Sequence, residues 1–328
     1  MNQLVSSIGD CFPAVNKKTY RLNKKVVEKV STPEPSAVSK GTQPYLTVDQ
    51  YNRDVKIKFH KMNTILKKEN VKPRQAITSF SERSAKRCKF ALRNSIHLMK
   101  AIVCLTYPSE YPEDGRAFKR HLDTFQKRLK RLSIQGFTCM EFQERGAPHY
   151  HILITGILDR HELSRMWFEI VNSGDPQHLQ AGTSIQFIVD DDDYRLEPDR
   201  VRYREMKRKG RKNVKRMFIA RAEAESYMIG YFKKMNQKVI PDHIKNAGRF
   251  WSHNRGLVAK LHAVVLSGND HDLKRKVRLL RRWYMSKLRS WGIRYKGQFL
   301  PEIIWDGMRF VNDLLRHARG DTLEPASS

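Results

Sequence analysis

From Ile96 onward the apolar positions fall into two periods. Ala101–Thr106 (AIVCLT) is a short apolar, β-branched run that stops at Tyr107-Pro108, which predicts a buried strand. In Arg116–Leu132, the residues Phe118, Leu122, Phe125, Leu129 and Leu132 step by four, three, four and three. That is one stripe of an amphipathic helix, with Lys and Arg on its other faces. Phe137–Gln143 and His149–Thr155 read as two strands around Glu-Arg-Gly-Ala-Pro, a turn composition. Glu162–Val171 predicts a helix with Leu163, Met166, Trp167 and Ile170 inward, Thr183–Val189 a strand, and Arg221–Met235 a helix.

The order is strand, helix, strand, strand, helix, strand, helix. It suits an α+β fold of split βαβ (ferredoxin-like) type, a central antiparallel sheet with helices on one face and helical extensions at both ends. Residues 1–45 read as disordered or linker, because Ser31–Pro44 is rich in Ser, Thr, Pro and Gly. The expected division is 1–45 linker, 46–95 basic N-terminal extension, 96–240 catalytic domain and 241–328 a helical, basic C-terminal extension. Residues 46–98 are weakly periodic and read as short helices, a candidate DNA-contacting arm.

The chain has 328 residues, 63 Lys+Arg against 34 Asp+Glu, and a formal net charge of +29. A hydrophobic content of 40% supports a real core and excludes a wholly disordered basic tail. The charge points first to nucleic acid and second to an anionic membrane surface. No apolar run approaches the roughly 20 residues of a spanning helix, so no membrane partner is expected, and MNQLVSSIGD shows no secretory signal. Cys11, Cys88, Cys104 and Cys139 are scattered without a CxxC pair. A disulfide framework and a zinc-cysteine site are therefore not expected, and a reducing, cytoplasmic setting is. Positive charge is densest in Arg195–Arg216, with 11 Lys/Arg in 22 residues. Arg202, Lys207, Arg208, Lys209, Arg211 and Lys212 are the first candidates there for phosphate contacts. The bland reading is a solvated loop.

Two groups of residues carry candidate chemistry. His149 and His151, at i and i+2 on a strand, point to one face about 7 Å apart along the chain, placed to share a metal ion. If the turn before them has three residues (Arg145–Ala147), Gln143 pairs with His149 and Glu141 with His151, which makes Glu141 a third ligand. A two-residue turn would put Glu141 on the wrong face. Tyr227 and Tyr231 are four apart on one helix face, and Lys234 is three beyond. A phenol with a pKa near 10 becomes a competent nucleophile beside a cation and a metal-polarised target. The bland alternatives are two part-buried strand histidines and a tyrosine pair packed on the sheet. Asp190–Asp193 reads as a strand-ending turn rather than a second cation site.

Together these residues resemble the rolling-circle replication initiators of the HUH endonuclease superfamily, two-tyrosine type, from phages or plasmids. Val103-Cys-Leu-Thr-Tyr107 is similar to the family's first strand, Glu141 through His151 to its strand-turn-strand with a His–bulky–His motif, and Tyr227, Tyr231 and Lys234 to its tyrosine helix. The resemblance spans about Ile96–Lys238. Gly230 stands where a lysine would follow Tyr227, so the resemblance favours Tyr231 as the nucleophile. It implies a Mg²⁺ or Mn²⁺ ion held by His149, His151 and Glu141. It further implies tyrosine attack on single-stranded or hairpin origin DNA, giving a 5′-phosphotyrosine and a free 3′-OH, then strand transfer. No GxxxxGK[ST] loop occurs, so a host helicase and polymerase are the implied partners. The tyrosines follow the histidines, as in replication initiators and in two-tyrosine single-strand transposases. The transposase stays open as an alternative, as does a non-catalytic basic nucleic-acid-binding protein.

Overall fold

The computed structural model describes residues 45–60, 77–211, 216–233 and 239–267, with isolated positions between 275 and 304. The linker expected over 1–45 lies almost wholly outside the described residues, as do Lys212 and Lys234. In chain order the elements are strands β1 (Tyr45–Gln50) and β2 (Val55–His60), helix α1 (Glu82–Arg93), β3 (Ala101–Thr106), α2 (Gly115–Arg131), β4 (Gly136–Phe142) and β5 (Pro148–Ile154). Then come α3 (Arg160–Val171), α4 (Pro176–Ala181), β6 (Thr183–Val189), α5 (Asp191–Leu196), α6 (Pro198–Arg208), β7 (Phe218–Ala220) and α7 (Arg221–Lys233). Strands β8 (Trp251–His253), β9 (His262–Ser267) and β10 (Ile303–Ile304) follow.

The fold is α+β, as expected. Among the described residues the larger sheet runs β7-β6-β3-β5-β4-β8. Its pairs are antiparallel except β6 with β7. The pleat gives it two faces. Tyr150 of β5 packs against Trp167 of α3, with ring centroids 6.2 Å apart, and Phe142 of β4 against Phe118 of α2. The neighbouring residue His151 points the other way and meets Tyr227 of α7. So α2 and α3 cover one face, as expected, and α7 lies against the opposite face.

Burial explains why the helices sit there. Phe118, Phe125 and Leu129 of the α2 stripe are buried, as are Leu163, Met166 and Trp167 of α3. Each such side chain contributes about 1.5–3 kcal/mol relative to exposure. Leu132, the last member of the predicted stripe, caps α2 and stays 47% exposed. Asp114 and Asp159 cap α2 and α3 by accepting from Arg116 N and from His161 and Glu162 N.

The regions flanking the core depart from the sequence reading. Where short helices were expected over 46–98, β1 and β2 form an antiparallel hairpin, and α1 follows. β9 pairs with β1 and β10 with β2, which makes a second sheet of order β10-β2-β1-β9. The stretch after Pro241 is thus not simply a helical extension: β8 joins the large sheet and β9 the small one. Residues 46–60 alternate between apolar and charged residues at period two, and strand partners arriving from more than 200 residues downstream override the weak helical signal. The hairpin turn is held by a buried polar hub. Asp54 accepts from Arg93 Nε at 3.2 Å and from Asn94 Nδ2 at 2.9 Å, and Arg53 pairs with Glu225 of α7 at 2.6 Å.

Candidate functional site

β3, β4 and β5 place the site side by side. Across β3–β5, Cys104 pairs with His151 and Thr106 with His149. Across β4–β5, Cys139 pairs with His151 and Glu141 with His149. Direct partners share a face, so Cys104, Thr106, Glu141, His149 and His151 all stand on the α7 side of the sheet. The expected pairing of Glu141 with His151 is corrected. The loop is three residues long but spans Glu144–Gly146, since Gln143 N donates to Ala147 O at 2.9 Å. Moving that loop by one residue changes every partner by two positions, which keeps the face and changes the neighbour. Gly146, at φ +82°, permits the loop, and a Cβ there would meet the His243 ring at 2.5 Å.

The contacts form a chain. The ring centroids of His149 and His151 lie 4.5 Å apart. His151 Nε2 is 3.0 Å from Glu141 Oε1, and His151 Nδ1 is 3.2 Å from Cys104 Sγ. Thr106 Oγ1 is 3.1 Å from His149 Nδ1. Glu141 and His151 are buried. With an acceptor at each ring nitrogen, His151 is suited to be an imidazolium. Burial disfavours that cation, but hydrogen bonds to Cys104 and Glu141 and their charges outweigh it, raising His151 to about 9. Burial would likewise lift the Cys104 thiol, and the bonds and charges of His149 and His151 outweigh it, lowering Cys104 to about 6. The metal-free site is therefore a thiolate–imidazolium–carboxylate row at neutral pH.

Cys104, His149 and His151 each offer a ligand atom, all within 4.8 Å of one another, and could hold a metal ion. The metal pair expected from His149 and His151 is thus extended by Cys104, which the sequence reading had set aside, and Glu141 braces His151 from the other side. Cys104 carries no motif of its own. Only the β3–β5 register brings it to the histidines.

The strand ends are clamped. Trp167 Nε1 donates to Thr106 O at 2.7 Å, and His178 Nε2 lies 2.8 Å from the same carbonyl. Arg145, in the β4–β5 loop, donates to the carbonyls of Tyr107, Pro108 and Ser109, and Tyr111 donates to Arg145 O. These bonds fix the segment after β3 to the loop before the histidines.

Helix α7 carries Tyr227, whose ring centroid is 6.1 Å from that of His151; the residue is 37% exposed. Ala224 and Met228 are buried. The start of α7 is fastened by the acidic run. Asp190 pairs with Arg221 at 2.8 Å, and Asp191 accepts from Ala222 N at 3.0 Å. Asp190–Asp193 therefore begins α5 and anchors α7, rather than ending a strand in a simple turn. The backbone of Tyr231 is one turn after Tyr227 on α7; its side chain, like Lys234, lies outside the described residues. Arg202, Lys207 and Arg208 are exposed on α6, and Lys209 and Arg211 follow it, also exposed. Most of the basic insert is thus a helix, with Arg216 stacked on Tyr203 at 4.9 Å.

Residues 100–236 match the family model for the replication-associated protein ORF2. The match supports a replication initiator family. The matched stretch contains the strand of Cys104, the hairpin of Glu141, His149 and His151, and the helix of Tyr227. No curated protein and no solved structure matches the chain. Among the described residues no helix is long and apolar enough to cross a membrane.

Proposed function

We propose that this protein initiates rolling-circle DNA replication by nicking single-stranded origin DNA with a tyrosine, in the manner of two-tyrosine HUH endonucleases. The observation that carries the reading is Tyr227 standing 6.1 Å, centroid to centroid, from His151 beside Cys104 and His149. It occurs within the stretch matched by a replication-associated family, in a chain of net charge +29.

A divalent ion held by His149, His151 and Cys104, with Glu141 braced against His151, would supply charge stabilisation at a non-bridging oxygen of the scissile phosphate. Mn²⁺ suits this mixed donor set better than Mg²⁺, which prefers oxygen ligands. The phenol oxygen of Tyr227, or of Tyr231 one turn later, forms the new bond to phosphorus. The bond from phosphorus to the 3′ oxygen breaks. The phenol proton leaves and the 3′ oxygen gains one, giving a 5′-phosphotyrosine and a 3′-OH. One phosphoester replaces another, so rejoining needs no ATP. A second tyrosine then serves the closing transfer, and Lys234 steadies the phosphate. The substrate is an exposed strand, from a hairpin or melted origin, because a paired phosphate is held away from a narrow site. The exposed basic residues of α6 add affinity for the backbone without reading sequence. A host helicase and polymerase complete the reaction, and the bacterial cytoplasm is its setting.

The test is a denaturing gel of protein incubated with single-stranded origin DNA and Mn²⁺. A band of slower mobility is expected, abolished by EDTA, lost in the Tyr227→Phe/Tyr231→Phe double variant, and reduced by either single one. A double variant that still forms the adduct overturns the reading.

A further inference from the structure

A second site lies on the same face of the sheet. A cavity of about 600 Å³ opens between the start of α1 and the edge strand β8. Arg87, Arg249, Trp251 and His253 line it, with Ser81 and Ser84. No carboxylate lines it, and among the described residues neither guanidinium has an acidic partner. Two unpaired cations facing one cavity repel each other and favour an anion between them.

The aromatic side chains beside them form a platform. Trp251 and His253 are two apart on β8, and their rings lie 5.9 Å apart at 28°. Both stack on buried Phe137, at 6.0 and 6.1 Å with interplanar angles of 26° and 3°. Trp251 Nε1 donates to Ser84 Oγ at 2.9 Å, which fixes the indole plane. Trp251 and His253 are only half-buried. A rigid, near-parallel aromatic surface next to two arginines suits a nucleobase and its phosphate.

Register ties this platform to the candidate metal centre. His151 pairs with Cys139, and Cys139 with Trp251. The three therefore lie in one row on one face, and two strand spacings put Trp251 about 10 Å from His151. At about 3.4 Å per stacked nucleotide, that distance is covered by a few nucleotides of one strand.

We infer that the cavity between α1 and β8 is a single-stranded DNA subsite, in which a base stacks on Trp251 and His253 while Arg87 and Arg249 hold its phosphate. It receives the strand a few nucleotides from the phosphate at His151. The inference rests on the nicking reading only for where that strand is cut.

The test uses the full chain and a fluorescently labelled twelve-residue oligothymidylate, read by anisotropy without divalent metal. Arg87→Gln/Arg249→Gln should weaken binding at least tenfold and make the log–log salt dependence shallower by about 1.4, the slope for two single-strand phosphates. Trp251→Leu should weaken binding roughly tenfold and leave the affinity for an abasic strand of the same length at the wild-type value. Should Trp251→Leu fail to fold, the arginine pair, on exposed side chains, decides. Both variants binding within twofold of wild type overturns the subsite. The adduct gel keeps the two ideas apart. Weakened variants with no adduct from the wild type leave the subsite standing and the nicking reading lost. An adduct from the wild type with unweakened variants does the reverse.

Discussion

Metal binding at Cys104, His149 and His151 should expel protons in a number set by the metal-free site. His151 is raised to about 9 and Cys104 lowered to about 6. At pH 7 His151 is therefore almost wholly protonated and Cys104 mostly thiolate. A ligating imidazole must be neutral and a ligating cysteine deprotonated. Loading at pH 7 thus releases about 1.1 protons, nearly all from His151. The same proton makes apparent affinity rise about tenfold per pH unit between 7 and 9 and level off above 9. Below pH 6 Cys104 also competes, and the dependence steepens. Calorimetric titration of Mn²⁺ in two buffers of different ionisation enthalpy counts the protons directly. Release near zero at pH 7, or an affinity flat between pH 7 and 9, would refute the doubly bonded His151 imidazolium on which the count depends.

Three further outcomes follow from the packing. The thiolate–imidazolium pair should also show in the metal-free protein: His151, raised, adds stability that is lost as pH rises through about 9, and Cys104, lowered, adds stability that is lost as pH falls through about 6. Urea midpoints should therefore show this pH dependence in wild type and lose it in Cys104→Ala; equal profiles would count against the pair. Asp54→Ala leaves Arg93 buried without its partner and should cost about 3–5 kcal/mol in urea unfolding, whereas a cost below about 1 kcal/mol would place the hub on a solvated surface. Asp191→Ala removes the acceptor for Ala222 N at the start of α7 and should cost about 1 kcal/mol. It should slow adduct formation while leaving Mn²⁺ affinity unchanged, and a matching loss of metal binding would contradict a role confined to α7.

The sequence by itself determined the elements of the core and the faces of their residues. Ala101–Thr106 and Thr183–Val189 are strands with the predicted bounds, and the Phe118–Leu129 stripe lies buried as its spacing requires. His149 and His151 share a face because strand side chains alternate at period two, a property of local backbone geometry that needs no partner. Tertiary structure decided which strands lie next to one another and in what register. The loop at Glu144–Gly146 set Glu141 opposite His149, and β3–β5 pairing brought Cys104 to His151 from 47 residues away. The β1–β2 hairpin became a sheet only when β9 arrived from beyond residue 261. Periodicity is written in neighbouring residues, whereas register and long-range pairing come from the combined burial and hydrogen bonding of segments far apart in the chain, which no local window of residues contains.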